Sequence, residues 1–327
     1  MVFKYGNSGN RGRAAAGTGI QVVMSGSNLE KVLESGAFAV TAELGPPKGA
    51  DPQVIIDRAN ILKGCADAVN ITDNQTAIAR MCSMAAAKIV IEQGLEPIMQ
   101  MTCRDRNRLA MQADILGAAA LGVRNLLCLT GDHQSFGNHP ESLGVFDLDS
   151  VTLINMVKDM RDVPQFQCGE EITFAPKLFI GAAANPYADP FPYRAMRLAK
   201  KVDAGIDFCQ TQIIYNVDKF EEFMRQCREL GVTERCKILA GVAPLKGAGM
   251  ATYMKNRVAG MDVPDEIIER LSAAVDAQDE GINVCVEVIN RVREIEGVAG
   301  VHIMAVEWES AVPEILKRAD LKPGSAQ

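Results

Sequence analysis

The chain has 327 residues, 48% of them hydrophobic, and a formal net charge of −7. That length is long for an ordinary single domain but suits an α/β barrel, and the hydrophobic share supplies a large core. The acidic balance argues against nucleic acid or an anionic membrane as partner, and no apolar run reaches the roughly 18 residues that span a bilayer.

The nine cysteines form no C-x-x-C pair and sit mostly in apolar runs, the usage of a reduced, cytoplasmic protein with buried thiols. Their spacing matches no familiar iron–sulfur site. Residues 1–27, rich in Gly, Ser, Arg and Asn, lack the apolar core of a signal peptide and read as an N-terminal arm suited to contacting a partner. Residues 28–327 read as a single domain.

Strand-like and helix-like segments alternate from Phe38 onward. The first strand is expected over 38–44, ended by Gly45-Pro46-Pro47, and a helix over 51–63. Further strands are expected over 68–72, 96–101 and 125–129, with helices over 77–93 and 106–121 between them. A polar loop, 133–147, precedes a helix over 150–161. The second half repeats the pattern with strands over 177–183, 208–214, 237–242 and 301–306. Its helices fall over 194–204 and 218–230, over 249–297 with a break near Asp262-Val263-Pro264, and over 311–319. Eight strand–helix units imply a (β/α)8 TIM barrel, whose functional residues gather at the carboxyl ends of the strands.

Several polar residues stand at those ends. The apolar run Asn125–Leu129 stops at Thr130-Gly131-Asp132, which leaves Asp132 either capping the next helix or facing a ligand. Glu43 follows an apolar run, where burial raises a carboxyl pKa and makes a general acid near neutral pH. Gln210 and Gln212 share one face of their strand, and Gln212, nearer the carboxyl end, is the better amide for a heteroaromatic edge. Gly247 and Gly249 form only a weak phosphate-turn signal. Asp132, His133, His139 and Glu141 match no standard metal spacing, so no metal is expected. His302 reads as packing, and Trp308 and Glu309 as residues that line or seal the pocket mouth. Lys201 or Lys246 leaves a Schiff-base aldolase barrel open as an alternative.

Three of these stretches together carry a family resemblance. Ala42-Glu43-Leu44-Gly45-Pro46-Pro47 resembles the Glu-x-x-Pro-Pro signature of methylenetetrahydrofolate reductases, and Leu129-Thr130-Gly131-Asp132 resembles that family's strand end. Lys201-Val202-Asp203-Ala204-Gly205 followed by Thr211-Gln212 is similar to a third stretch, in the same order over about 38–244. The resemblance implies a flavin-bearing barrel, with FAD or FMN, that reduces 5,10-methylenetetrahydrofolate to 5-methyltetrahydrofolate. It also implies roles. Glu43 matches the acid that helps open the imidazolidine ring, Asp132 the carboxylate near flavin and pterin, and Gln212 the folate-binding amide. Tyr253 or Met254 falls near an expected folate-stacking Phe. The flavin-contact set is Thr72, Gln100, Thr102, Thr130, Gly131, Asp132, Ala183, Asn185 and Lys201.

Departures from the pattern are informative. Gln100 stands at a flavin-contacting His, the 183–189 segment lacks the family's aromatic and His, and Arg194 replaces an acidic residue. Asp73-Asn74-Gln75 resembles the short reductases of acetogen-type anaerobes, which work beside a separate iron–sulfur subunit. An iron–sulfur partner as electron donor and an oligomeric enzyme are therefore expected. A non-catalytic, pterin-binding scaffold barrel is a third reading.

Overall fold

The computed structural model describes residues 24–324, and over these the chain closes eight parallel strands into one barrel in sequence order, β8 returning to β1. The expected arm lies outside the described residues except for Met24–Ser27. The strands are β1 Ala39–Leu44, β2 Ala68–Ile71, β3 Pro97–Thr102, β4 Asn125–Leu129, β5 Phe179–Ala184, β6 Phe208–Ile213, β7 Lys237–Val242 and β8 Val298–Ile303. The helices are α1 Asn28–Glu34, α2 Gln53–Leu62, α3 Ser83–Glu92, α4 Arg108–Ala120, α5 Ser150–Asp162 and α6 Tyr193–Ala204, then α7 Val217–Glu229, α8 Ala248–Arg257, α9 Asp265–Ala273, α10 Ala277–Arg293 and α11 Val312–Arg318. None of these helices is long and apolar enough to cross a membrane.

Strand alternation sorts the side chains into two cores. Val40, Ala42, Val69, Met99, Cys128 and Ile238 belong to the large cluster that packs the barrel against its helices. Ala39, Ala68, Ile98, Leu127, Phe179, Phe208 and Leu239 form a separate cluster with Leu29, Val32 and Leu33 of α1. Most of these strand residues open their strands, so α1 plugs the amino-terminal end of the barrel. Burying each such leucine stabilises the fold by about 1.5–3 kcal/mol. Ser27 caps α1 by accepting from Glu30 N, and Glu96, just before β3, accepts from the backbone N–H groups of Asn28 and Leu29. Gly181 leaves room for the Phe208 ring, because a Cβ there would lie 2.3 Å from it. Phe208 stacks on Phe179 at 5.1 Å between centroids and fills the barrel. With one end filled by apolar side chains, only the carboxyl end is left for a ligand.

The structure corrects two boundaries and adds a helix and a break. The helix expected over 77–93 begins only at Ser83, because Asn74, Thr76 and Ala77 take positive φ values in a 3-10 turn, Gln75–Ala77. The last strand runs over 298–303 rather than 301–306, since its register on β1 pairs Ala39 with Gly300 and Ala42 with Ile303. α1 itself was not expected. The break at 262–264 is present, and a second at 274–276 divides the remainder into α9 and α10.

Candidate active site

A cavity of about 540 Å³ opens at the carboxyl ends of the strands. Its floor is a hydrogen-bonded polar layer resting on the apolar plug. Asn70 and Gln210 exchange a pair of amide bonds, Nδ2 to Oε1 at 2.6 Å and Nε2 to Oδ1 at 3.0 Å. Gln210 Nε2 also reaches Thr41 Oγ1 at 3.2 Å, and Thr41 Oγ1 lies 3.0 Å from His302 Nδ1. These four residues come from β1, β2, β6 and β8. Each satisfies another, which makes a buried polar layer tolerable and rigid.

Glu43 rises from this floor on β1, two residues after Thr41. Its side chain is 13% exposed, and Oε2 lies 4.0 Å from His302 Nε2. Burial, with help from the nearby Glu309 charge, raises the Glu43 carboxyl to about 7. Burial lowers His302 to about 3, so its imidazole is neutral at physiological pH. The ring in this contact is neutral, so it is not an ion pair, and the carboxyl facing it still holds its proton in about half the molecules at pH 7. Glu43 is an acid with a proton to give near neutrality.

The β2–β4 side is built on charge pairing. Asp73 is buried and accepts from Thr102 N at 2.9 Å, Thr102 Oγ1 at 3.0 Å and Arg106 Nη1 at 2.8 Å. Arg104, also buried, donates to Asp105, to the Asn74 carbonyl at 3.2 Å and to the Asp132 carbonyl at 3.1 Å. It thereby ties the loops after β2 and β4 together at the cavity wall. Gly131 has φ +91°, and a Cβ there would lie 3.1 Å from Thr102 and Arg104, so the turn that carries Asp132 needs glycine. Thr130 Oγ1 accepts from Ser150 N at 3.0 Å, anchoring that turn to the start of α5.

On the remaining wall, Lys201 of α6 is buried and donates to the Ala183 carbonyl at 2.7 Å; burial lowers its pKa. The pairing of β6 with β7 shifts register between Gln210 and Ile213, an irregularity that re-aims the end of β6. Gln212 there accepts from Ile213 N through Oε1, and its Nε2 makes no hydrogen bond among the described residues. The Gln100 side-chain amide has no partner among them, although the Gln100 backbone carbonyl accepts from Ser83 Oγ.

Most of the residues expected from the sequence thus meet in one cavity: Glu43, Gln100, Thr102, Thr130, Gly131, Asp132, Ala183, Asn185, Lys201 and Gln212 all line it. Three do not. Thr72 is buried outside the wall with its hydroxyl unpartnered. Tyr253 is 62% exposed on α8, and Met254 is buried in a separate apolar cluster against Tyr215. Lys246, the other lysine considered for a Schiff base, is exposed and donates to the Glu307 carbonyl. Among the described residues no group of three or more His, Cys, Asp or Glu could hold a metal ion. His302, Asn70, Arg104 and Arg197 are cavity residues that sequence reasoning did not place there. His302 and Asn70 carried a usable signal, each a polar residue inside a strand otherwise apolar.

Residues 28–320 match the family model for methylenetetrahydrofolate reductase. The chain belongs to that family. It is 26% identical over 247 residues to a probable methylenetetrahydrofolate reductase (NADPH) of Caenorhabditis elegans, covering 73% of this chain and 34% of that protein. It is 25% identical over 219 residues to the 5,10-methylenetetrahydrofolate reductase of Pectobacterium carotovorum, covering 64% and 65%. The chain spans about a third of the length of the longer relatives, 34% in the nematode case. Among solved structures, a Clostridium thermocellum protein described as binding two copies of 5-methyl-5,6,7,8-tetrahydrofolic acid superposes with TM-score 0.63. At 13% identity, it covers 89% of this chain and 98% of its own, and the likeness shows the shared fold.

Proposed function

We propose that this protein reduces 5,10-methylenetetrahydrofolate to 5-methyltetrahydrofolate with a bound flavin, FAD or FMN, and with Glu43 as the acid. The observation that carries the reading is Glu43 itself. A carboxyl that keeps its proton to about 7 opens on the cavity of a barrel belonging to this family. A flavin, when bound, supplies the hydride. The cavity suits a flat heteroaromatic group, because the Gln100 side-chain amide and the Gln212 Nε2 on its wall make no hydrogen bond among the described residues. Gln100, Thr102, Thr130, Gly131, Asp132, Ala183, Asn185 and Lys201 are the residues proposed to hold the flavin, and Gln212 the folate.

Glu43 would give its proton to the folate nitrogen that leaves the bridging carbon, opening the ring for reduction. His302, neutral and fixed by Thr41, adds no positive charge of its own beside Glu43 that would favour loss of this proton. Asp132, aimed by the Gly131 turn, stands where a negative group favours positive charge developing on the substrate. Glu43→Gln tests the reading. Flavin should still bind and be reduced, while folate reduction falls by about 10²–10⁴-fold, the contribution of a positioned general acid.

We further propose an iron–sulfur partner subunit as electron donor. The loop that follows Asp132 supports this with two strongly exposed apolar residues, Phe136 and Leu143, available for a docking partner. Rapid flavin reduction by NADH in the isolated chain, at the rate of folate turnover, would show that no partner is needed. One observation keeps a second reading in view: Lys201 is buried with a lowered pKa, as a Schiff-base lysine must be. Borohydride trapping of a covalent substrate adduct would favour that aldolase reading over the reductase.

A further inference from the structure

Glu43 lines two cavities. Besides the large one it borders a small cavity of about 40 Å³, lined also by Arg58, Arg80, Ala305 and Glu309. This volume exceeds the about 10–15 Å³ that one water requires, and its wall is polar enough to hold one. Arg58 of α2 donates to the Gly45 carbonyl at 2.7 Å and lies 3.2 Å from Glu309, in the 3-10 turn Glu309–Ala311 that follows β8. Arg80 donates to the Pro46 carbonyl at 3.2 Å, and its Nε is buried without a partner among the described residues, a donor that a water in this cavity would satisfy.

If Glu43 gives up a proton in each turnover, as proposed above, that proton must be replaced. While flavin and folate together occupy the large cavity, as proposed above, they would cover Glu43 from that side until product leaves. We propose that the small cavity is the proton return path of Glu43, and that the Arg58–Glu309 pair on its wall is the positioning element that governs the return. In the step, an O–H bond forms at the Glu43 carboxylate as one breaks on a cavity water, and that water regains its proton from solvent. No electron moves. The inference rests on Glu43 being the acid.

The charged and titratable groups around Glu43 decide the signs of the test. Around the small cavity they are Arg58, Arg80, Glu307 and Glu309; β8 adds His302. On the large cavity they are Asp73, Arg104, Asp132, Arg194, Arg197 and Lys201. Of these, Glu309 is the one whose charge helps hold the proton on Glu43, after burial itself.

The experiment follows folate reduction by the flavin-loaded, pre-reduced full chain in stopped flow across pH. Glu309→Gln should move the midpoint of the activity loss down, though it stays above the ordinary carboxyl value because burial is the larger cause. Arg58→Met should move it up, by removing a positive charge. Opposite shifts from two variants that break the same ion pair are not expected of mere structural damage. With excess reduced viologen present to re-reduce the flavin between turnovers, Ala305→Leu, which fills the small cavity, should produce a burst in which the first turnover outruns later ones several-fold. Unmoved midpoints in both variants, together with no burst in Ala305→Leu, would overturn the return path. Glu43→Gln in the same assay keeps the two failures apart. If it reduces folate at the wild-type rate, the reading of Glu43 as acid fails. If it is inactive while the other variants behave as wild type, only the return path fails.

Discussion

On the β1–β8 side of the cavity, Glu43 is buried beside a neutral imidazole and holds its proton to about 7. On the β2–β4 side, Asp73 is met by Arg106, and Arg104 with Asn74 holds Asp105 below its ordinary value although burial works the other way. Each region sets a buried carboxyl, Glu43 or Asp73, at the strand ends of one barrel. What separates them is the counter-charge. Where a guanidinium is supplied, the carboxylate becomes structural glue; where it is withheld, burial leaves a proton in place. Arg58 and Arg80 border the small cavity beside Glu43, but Arg58 is engaged with Glu309 and Arg80 with the Pro46 carbonyl.

The comparison can be broken at its charged side. Arg104→Met removes the tie between the Asn74 and Asp132 loops and leaves Asp105 without its partner. A loss of about 1–3 kcal/mol is expected by urea denaturation, from the lost hydrogen bonds of the buried guanidinium to Asp105 and the two loop carbonyls, with weaker flavin retention. Stability within 1 kcal/mol of wild type, roughly the value of an exposed pair, would show that this network is not structural.

The neutral side makes a prediction of opposite character. Folded Glu43 keeps its proton to about 7, while the unfolded chain releases it near the ordinary 4.5. Between those values the folded form binds more protons, so its stability falls as pH rises. Above about 7 the penalty levels off at roughly 3 kcal/mol, from 1.36 kcal/mol per unit. Glu43→Gln should therefore be more stable than wild type by up to roughly this amount at pH 8. The gap should close below pH 4.5, as read by denaturation at the two pH values. A smaller effect is expected at the hinge of the charged side. Gly131→Ala forces a side chain into positive φ against Thr102 and Arg104, costing about 1–2 kcal/mol in thermal denaturation.

The barrel was legible in the sequence because each strand is a short apolar run and each helix carries its own period; those signals are local. The strand-end residues Glu43, Thr130–Asp132 and Gln212 were legible for the same reason, as polar groups closing apolar runs. The floor was not. Asn70 bonds Gln210 across 140 residues, and Thr41 meets His302 across 261, so no local pattern announces either pair. Helix α1 was missed because seven residues are too few to show a period. The start of α3 was misread because Ala77, Ile78 and Ala79 are good helix residues held out of the helix by the 74–77 turn. Tyr253 and Met254 were placed by resemblance alone, and α8 directs neither to the cavity.

The central claim is that Glu43 is the protonated acid of folate reduction, and the pH dependence of a single half-reaction tests it most directly. Pre-reduced, flavin-loaded protein is mixed with 5,10-methylenetetrahydrofolate, and flavin oxidation is followed from pH 5 to 9, a range of about two units on either side of the Glu43 midpoint. The account predicts a wild-type rate that is high at low pH and falls through a midpoint of about 7, with a slow, pH-independent remainder in Glu43→Gln. A Glu43→Gln protein that oxidises its flavin at the wild-type rate, with the same midpoint, would contradict it.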